Sequence, residues 1–332
     1  MERKERMPFM GKMFDIVEKS RAEINAKTPF IKDTDVTKNV VYKEIDGKKL
    51  VMDIYVPKNA EETNAPAVMI IPGGGWMVNN RERRGGYASL YASLGAKVFV
   101  VEYRLTPGIT FPENLKDLVD ATDFIYENRE KYGIDVDKFV VTGDSAGGHL
   151  AACLACAATT PGYAEKLGTR IPKIKPAGCI FISASFSFKT MCRIPVSYTF
   201  IVKNFCGLST KTAFRKWKYY NESYPWNCIT ENFPKSYNSG GKSDPFCTGD
   251  AKRMADKLTE KGVENEYYIG KGIHADHCYV LRNPYLFARK DMLKIMTWYK
   301  KLLESLSYDF GDKFDALKNY LENPNKKYVY EE

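Results

Sequence analysis

At 332 residues, 44% hydrophobic and 27% charged, the chain has the make-up of a globular protein with a sizeable core. Its net charge of +9 comes from lysines and arginines scattered among acids, with no long basic run, which argues against a nucleic-acid-binding face. No stretch approaches membrane-spanning length and Met1–Ser20 carries charge without an apolar core, so the sequence predicts a cytoplasmic protein with no membrane partner.

In chain order, residues 1–38 read as a polar, mostly helical lead-in, followed by a folded core over 39–306 and a helical, polar extension over 307–332. Val40–Val56 has strand character interrupted by Asp46-Gly47, a hairpin signal. Ala67–Ile71 is an apolar strand that runs into Pro72-Gly73-Gly74-Gly75-Trp76. Glycines there let the backbone approach a ligand and leave N–H groups free to donate. Tyr87–Leu94 reads as a helix, Lys97–Tyr103 as a strand, and Pro112 opens a helix with apolar residues at the 3.6 period (Leu115, Leu118, Val119, Thr122, Ile125, Tyr126).

Lys138–Thr142 is a short buried strand leading into Gly143-Asp144-Ser145-Ala146-Gly147, after which an Ala/Cys/Leu helix begins. G-x-S-x-G between strand and helix is the pattern of a tight turn that lifts Ser145 Oγ clear of the sheet and aims the Ala146 N–H at the same spot. With N–H groups of Gly73 and Gly74, that donor would stabilise an oxyanion. His149, four residues on, projects away from the tip of the turn and reads as structural. His149, Cys153 and Cys156 share a helix face, but a metal site there would need another ligand. The eight cysteines are irregularly spaced and read as reduced thiols.

Gly178–Ser183 is the next strand. The segment Phe186–Phe233 then breaks the alternation of strands and helices and is dense in aromatics. Lys235–Gly240 is a polar strand ahead of Ser243-Asp244-Pro245, where the proline ends regular structure and leaves Asp244 on a loop. Asp250 and Asp256 fall on the helix that follows and read as solvated charges. Glu266–Ile269 is the last strand, and the loop after it carries the two remaining histidines, His274 and His277. Pro284–Leu306 is a closing helix. Alternating strands and helices predict an α/β fold with a mostly parallel central sheet covered on both faces. The order Ser145, Asp244, His274 or His277 is that of a nucleophile, orienting acid and base in the α/β-hydrolase fold.

The chain resembles the hormone-sensitive-lipase-like esterase group of α/β-hydrolases. The matching residues are Gly143-Asp144-Ser145-Ala146-Gly147-Gly148, the glycine run Gly73–Gly75, and Glu102-Tyr103-Arg104-Leu105-Thr106-Pro107 with Phe111-Pro112. It departs from that group at Pro72, where the group has a histidine, and in the polar strand before Asp244. The resemblance implies a cap inserted over about 186–233, with Trp76 and Phe186 as candidate pocket residues. It also favours His277 as base over the alternative His274, because His277-Cys278-Tyr279 is similar to the group's His-x-Phe pattern.

The resulting expectation is a serine carboxylesterase acting on a small-molecule ester, acetyl or short-chain, with acylated carbohydrate as one candidate. It needs no metal and no organic cofactor. An amide hydrolase (formamidase or peptidase) with the same triad, and a non-catalytic binding protein on the same scaffold, are the rivals. Self-association into a homo-oligomer is left open.

Overall fold

The computed structural model describes residues 31, 34–58, 63–78, 81–188, 201–208, 210–281 and 286–323. Among the described residues eight strands form one sheet in the order β1-β2-β4-β3-β5-β6-β7-β8. β1 (Thr34–Ile45) and β2 (Lys48–Pro57) make the hairpin announced by Asp46-Gly47, both of which take positive φ (50° and 70°) as a tight two-residue turn requires. β2 pairs antiparallel with β4 (Lys97–Val101). From β4 onward every pairing is parallel, through β3 (Ala65–Ile71), β5 (Ile134–Asp144), β6 (Gly178–Ile182), β7 (Lys235–Gly241) and β8 (Asn265–Gly270).

A parallel sheet must be covered on both sides, and the pleat divides its apolar residues accordingly. In β3, Ala67, Met69 and Ile71 face one core, with α2 (Glu113–Glu127), α3 (Ala146–Thr159) and α4 (Asp250–Glu260). Val68 and Ile70 face the other, with α1 (Gly85–Ser93), α5 (Leu286–Ser305) and α6 (Lys313–Glu322).

One expected boundary moves. β1 begins at Thr34, so residues 34–38 belong to the sheet and not to a helical lead-in; hydrogen bonding to β2 decides this, which local composition cannot show. Residues 1–30, 32 and 33 lie outside the described residues, as do 324–332 of the C-terminal extension. Within that extension, α6 buries Phe314, Leu317, Tyr320 and Leu321 in the second core.

Of the aromatic segment Phe186–Phe233, residues 189–200 and 209 lie outside the described residues. The rest packs on α3 and on the loop after β3. Phe111 N–H donates to the Phe205 carbonyl (2.9 Å), Tyr163 OH to the Glu222 carbonyl (2.9 Å), and Thr160 Oγ1 to the Cys228 carbonyl (2.7 Å). Trp76, Phe111, His149, Phe188 and Phe205 form one aromatic cluster with ring centroids 4.6–6.2 Å apart. Among the described residues no helix is long and apolar enough to cross a membrane.

Candidate active site

Four loops at the carboxyl ends of parallel strands converge, where open α/β sheets form clefts. They follow β3, β5, β7 and β8.

The turn after β5 carries Ser145 at φ 51°, ψ −120°, a conformation a non-glycine residue adopts only when its surroundings enforce it. They do so here by contact. A Cβ on Gly147 would lie 2.0 Å from the Ile71 carbonyl oxygen, and one on Gly143 would lie 2.5 Å from the Gly147 backbone. The spacing of small residues is thus dictated by α3 starting hard against the end of β3.

The loops after β7 and β8 are stitched together by backbone. Ser243 N–H donates to the Ala275 carbonyl (3.0 Å), and Ser243 Oγ to the Gly272 carbonyl (3.1 Å). This brings Asp244 and His277 side by side. His277 Nε2 is 2.9 Å from Ser145 Oγ, and its Nδ1 is 2.9 Å from Asp244 Oδ2. The other carboxylate oxygen, Oδ1, accepts the N–H groups of Phe246 (2.8 Å) and Cys247 (3.0 Å). The Phe246 ring stands edge-on to the imidazole at 5.2 Å. Oδ2 is therefore the oxygen presented to histidine.

The electrostatics follow from these contacts. Burial alone would raise the Asp244 pKa, but the hydrogen bond and charge of His277 and the two backbone N–H groups outweigh it and hold the carboxyl below its ordinary value. For His277, burial opposes protonation. Negative charge on Cys278 or Cys247 would favour it, and so does the hydrogen bond from the Asp244 carboxylate; the net direction is upward from the usual imidazole value. At neutral pH the carboxylate is the anion present, so it is the partner that stabilises an imidazolium.

The glycine loop departs from expectation at one residue. Gly73 N–H donates to Asp144 Oδ1 (3.2 Å) and is not available to an oxyanion. Among the described residues the N–H groups of Gly74, Gly75 and Ala146 have no hydrogen-bond partner. Of the expected donors Gly73, Gly74 and Ala146, the first is thus engaged elsewhere, while Gly74 and Ala146, with Gly75 beside them, keep an N–H without a partner among the described residues. Asp144 is fixed by Arg84, whose Nε and Nη2 reach Oδ1 (2.7 Å) and Oδ2 (2.6 Å) in a buried fork. Tyr103 OH donates to the Pro72 carbonyl (2.8 Å) and holds the start of the loop. In the sequence Asp144 and Tyr103 show no role of their own, and Arg84, in the charged run Arg81–Arg84, carries no local sign of burial.

The remaining candidates are placed as follows. His274 is exposed on the loop before His277. His149 is fully buried on α3, its Nε2 donating to the Ser223 carbonyl (2.9 Å); burial outweighs that bond and lowers its pKa to about 4. Trp76 and Phe186 are fully buried: Trp76 among His149, Phe188 and Phe205, and Phe186 against Phe181 and Trp226. Asp256 is exposed and pairs with Lys252 (2.7 Å). Asp250 corrects the expectation of a solvated charge. It is buried, accepts the Ser187 N–H (3.0 Å) and faces Ser187 Oγ (3.3 Å), and burial raises its carboxyl to about 7. It lies apart from the Ser145–His277–Asp244 chain of hydrogen bonds.

The BD-FAE family model matches residues 52–183, from β2 to the end of β6. Arylacetamide deacetylase of Oryctolagus cuniculus is 36% identical over 123 residues, which is 35% of this chain and 31% of that protein. Ethyl acetate hydrolase of Pseudomonas putida is 33% identical over 138 residues, 40% of this chain and 43% of that protein. The chain thus spans less than half the length of these curated relatives. In overall structure it is similar to esterase B from Lactobacillus rhamnosis, with a TM-score of 0.77 and 18% identity over 92% of this chain and 96% of that one. The chain thus has the α/β-hydrolase fold, and the proteins it is similar to in sequence and in structure include esterases.

Proposed function

We propose that the chain is a serine carboxylesterase for small esters with a short acyl group, with Ser145, His277 and Asp244 as its triad. One observation carries the reading: a continuous hydrogen-bonded line from Ser145 Oγ through both nitrogens of His277 to Asp244 Oδ2, each link 2.9 Å. A nucleophile needs a base within that reach, and the base needs its tautomer fixed from the far side. In the reaction, Ser145 Oγ attacks the ester carbonyl while Nε2 takes its proton. The imidazolium, stabilised by Asp244, then delivers that proton to the departing alcohol. Water repeats the sequence to release the acid. Gly74, Gly75 and Ala146 N–H groups receive the oxyanion, each donor being worth roughly 3 kcal/mol in systems of this kind.

Two features support a short acyl group. Trp76, His149, Phe188 and Phe205 pack together at the end of the glycine loop with side chains closed to solvent, a filled surrounding that favours a short acyl group. One relative is named for ethyl acetate. Another is named for an arylacetamide, and this gives a second reading, acetyl transfer to water from an aryl amide.

The deciding experiment is a kcat/KM profile over p-nitrophenyl esters of increasing acyl length, with ethyl acetate, acetylated sugars and aryl acetamides alongside. The expected maximum is at acetyl to butyryl esters. Faster cleavage of an aryl acetamide than of the matched aryl acetate would transfer the assignment to amide hydrolysis. Undiminished turnover by folded Ser145→Ala protein would remove both readings.

A further inference from the structure

Beside Ser145, His277 and Asp244 lies a buried thiol to which ester hydrolysis gives no role. Cys247 lies three residues after Asp244, its backbone N–H bound to Oδ1 of that carboxylate. Its thiol faces the imidazole of His277 and lies 3.1 Å from Ser185 Oγ. One ligating atom from each of Asp244, Cys247 and His277 falls within 4.8 Å of the others, and all three residues are buried.

We propose that Asp244, Cys247 and His277 form a site for a thiophilic divalent cation of the Zn²⁺ type, and that its occupation switches hydrolysis off. A sulfur, a nitrogen and an oxygen ligand are a donor set that Zn²⁺ accepts and Mg²⁺ does not. Ligand atoms around tetrahedral zinc stand about 3.5 Å apart, so side-chain rotation of roughly 1 Å closes the trio onto an ion. The carboxylate is built for the exchange. Its Oδ1 keeps both backbone N–H groups while Oδ2 trades the histidine proton for the metal. Ser185 Oγ stands 3.1 Å from the sulfur, and it or solvent would take the fourth position.

Inhibition follows from where the proton goes. Metal binding forms bonds to Cys247 Sγ, Asp244 Oδ2 and His277 Nδ1. The Cys247 thiol proton leaves to solvent. The imidazole keeps one proton, but that proton moves from Nδ1 to Nε2. Nε2–H can then only donate to Ser145 Oγ, so the serine has no base. The shut-off rests on the reading of His277 as base, whereas the binding site does not.

The test uses the full chain, stripped of metal and kept reduced, in two assays. In the first, Zn²⁺ is titrated into the p-nitrophenyl acetate assay, and each protein is scaled to its own metal-free rate. Wild type is expected to lose activity at micromolar Zn²⁺ and regain it with chelator. Cys247→Ala and the near-isosteric Cys247→Ser are expected to need at least about tenfold more Zn²⁺, as for other losses from a metal site. In the second, Co²⁺ replaces Zn²⁺ and the thiolate-to-cobalt absorption band is read directly. The band is expected in wild type and in Ser145→Ala, and reduced by one thiolate's intensity in both Cys247 variants. Equal Zn²⁺ sensitivity in wild type and both Cys247 variants, with no Cys247-dependent cobalt band, would overturn the site. A Cys247-dependent band with unimpaired ester hydrolysis would leave the site standing and overturn the switch.

Discussion

The Arg84–Asp144 fork offers the sharpest test of how the glycine loop is held. The two side chains are 7% and 5% exposed, so neither charge is screened by water. Arg84→Leu removes two charge-assisted hydrogen bonds and leaves a carboxylate buried behind the nucleophile. Breaking a buried pair from one side costs about 3–5 kcal/mol. At about 2 °C per kcal/mol for a chain of this size, the unfolding midpoint should fall by about 6–10 °C. The same carboxylate accepts Gly73 N–H, so its loosening is transmitted to the next two residues, Gly74 and Gly75. Deleting one oxyanion donor outright costs about 10²–10³ in kcat, and a misplaced pair should cost about 10- to 100-fold, with KM little changed. Arg84→Lys keeps the charge without the fork and should recover part of both losses. The measurements are thermal unfolding and steady-state kinetics on p-nitrophenyl acetate well below the midpoint, with Asp144→Asn and the double variant completing a cycle. Unchanged kcat in Arg84→Leu, or single-variant losses that simply add, would refute the link between this pair and the loop.

Further outcomes follow from the same geometry. His277→Ala should reduce ester turnover by several orders of magnitude and His274→Ala should leave most of it, a comparison read from kcat with both proteins folded. Because the His277 pKa is raised and the base must be neutral, kcat/KM should fall as pH drops through a value above 6.5. Asp244→Asn should shift that acid limb downward while cutting kcat. An acid limb that stays put in Asp244→Asn would separate Asp244 from the base. Asp250 has a folded pKa of about 7 against an ordinary value of 3.8, so the folded state binds its proton more tightly than the unfolded one. Its contribution is complete below about pH 4 and is lost as pH rises through 7. Asp250→Asn should therefore stabilise the protein relative to wild type at pH 8 more than at pH 5 in thermal unfolding.

What the sequence reveals about this site depends on how local the cause is. The turn at Ser145 is legible because its glycines answer to backbone a few residues away and to the end of one neighbouring strand. Asp244 is legible for a similar reason: the Asp-Pro pair stops β7 and starts the loop that β8's own loop must meet. The polar composition of β7 was no obstacle, since a strand hydrogen-bonded on both sides is specified by its ladder, and small residues such as Gly240 fit beneath Ala251 of α4. Which glycine N–H groups are left unengaged is beyond reach of any local pattern. Whether Gly73 N–H is free is decided by Asp144, 71 residues later, and Asp144 is held in turn by Arg84, 60 residues earlier. Three consecutive glycines look alike until that long-range clamp engages the first of them. The burial of Asp250 has the same origin, since its partner Ser187 lies 63 residues upstream at the entrance to the aromatic segment. Here the pattern of small residues marked where the backbone must come close, while the charged pairs that tell one N–H from the next formed only between distant elements. A search of related chains for such sites should therefore follow the carboxylate before the serine to its cation, because that pair decides whether the first glycine N–H is engaged.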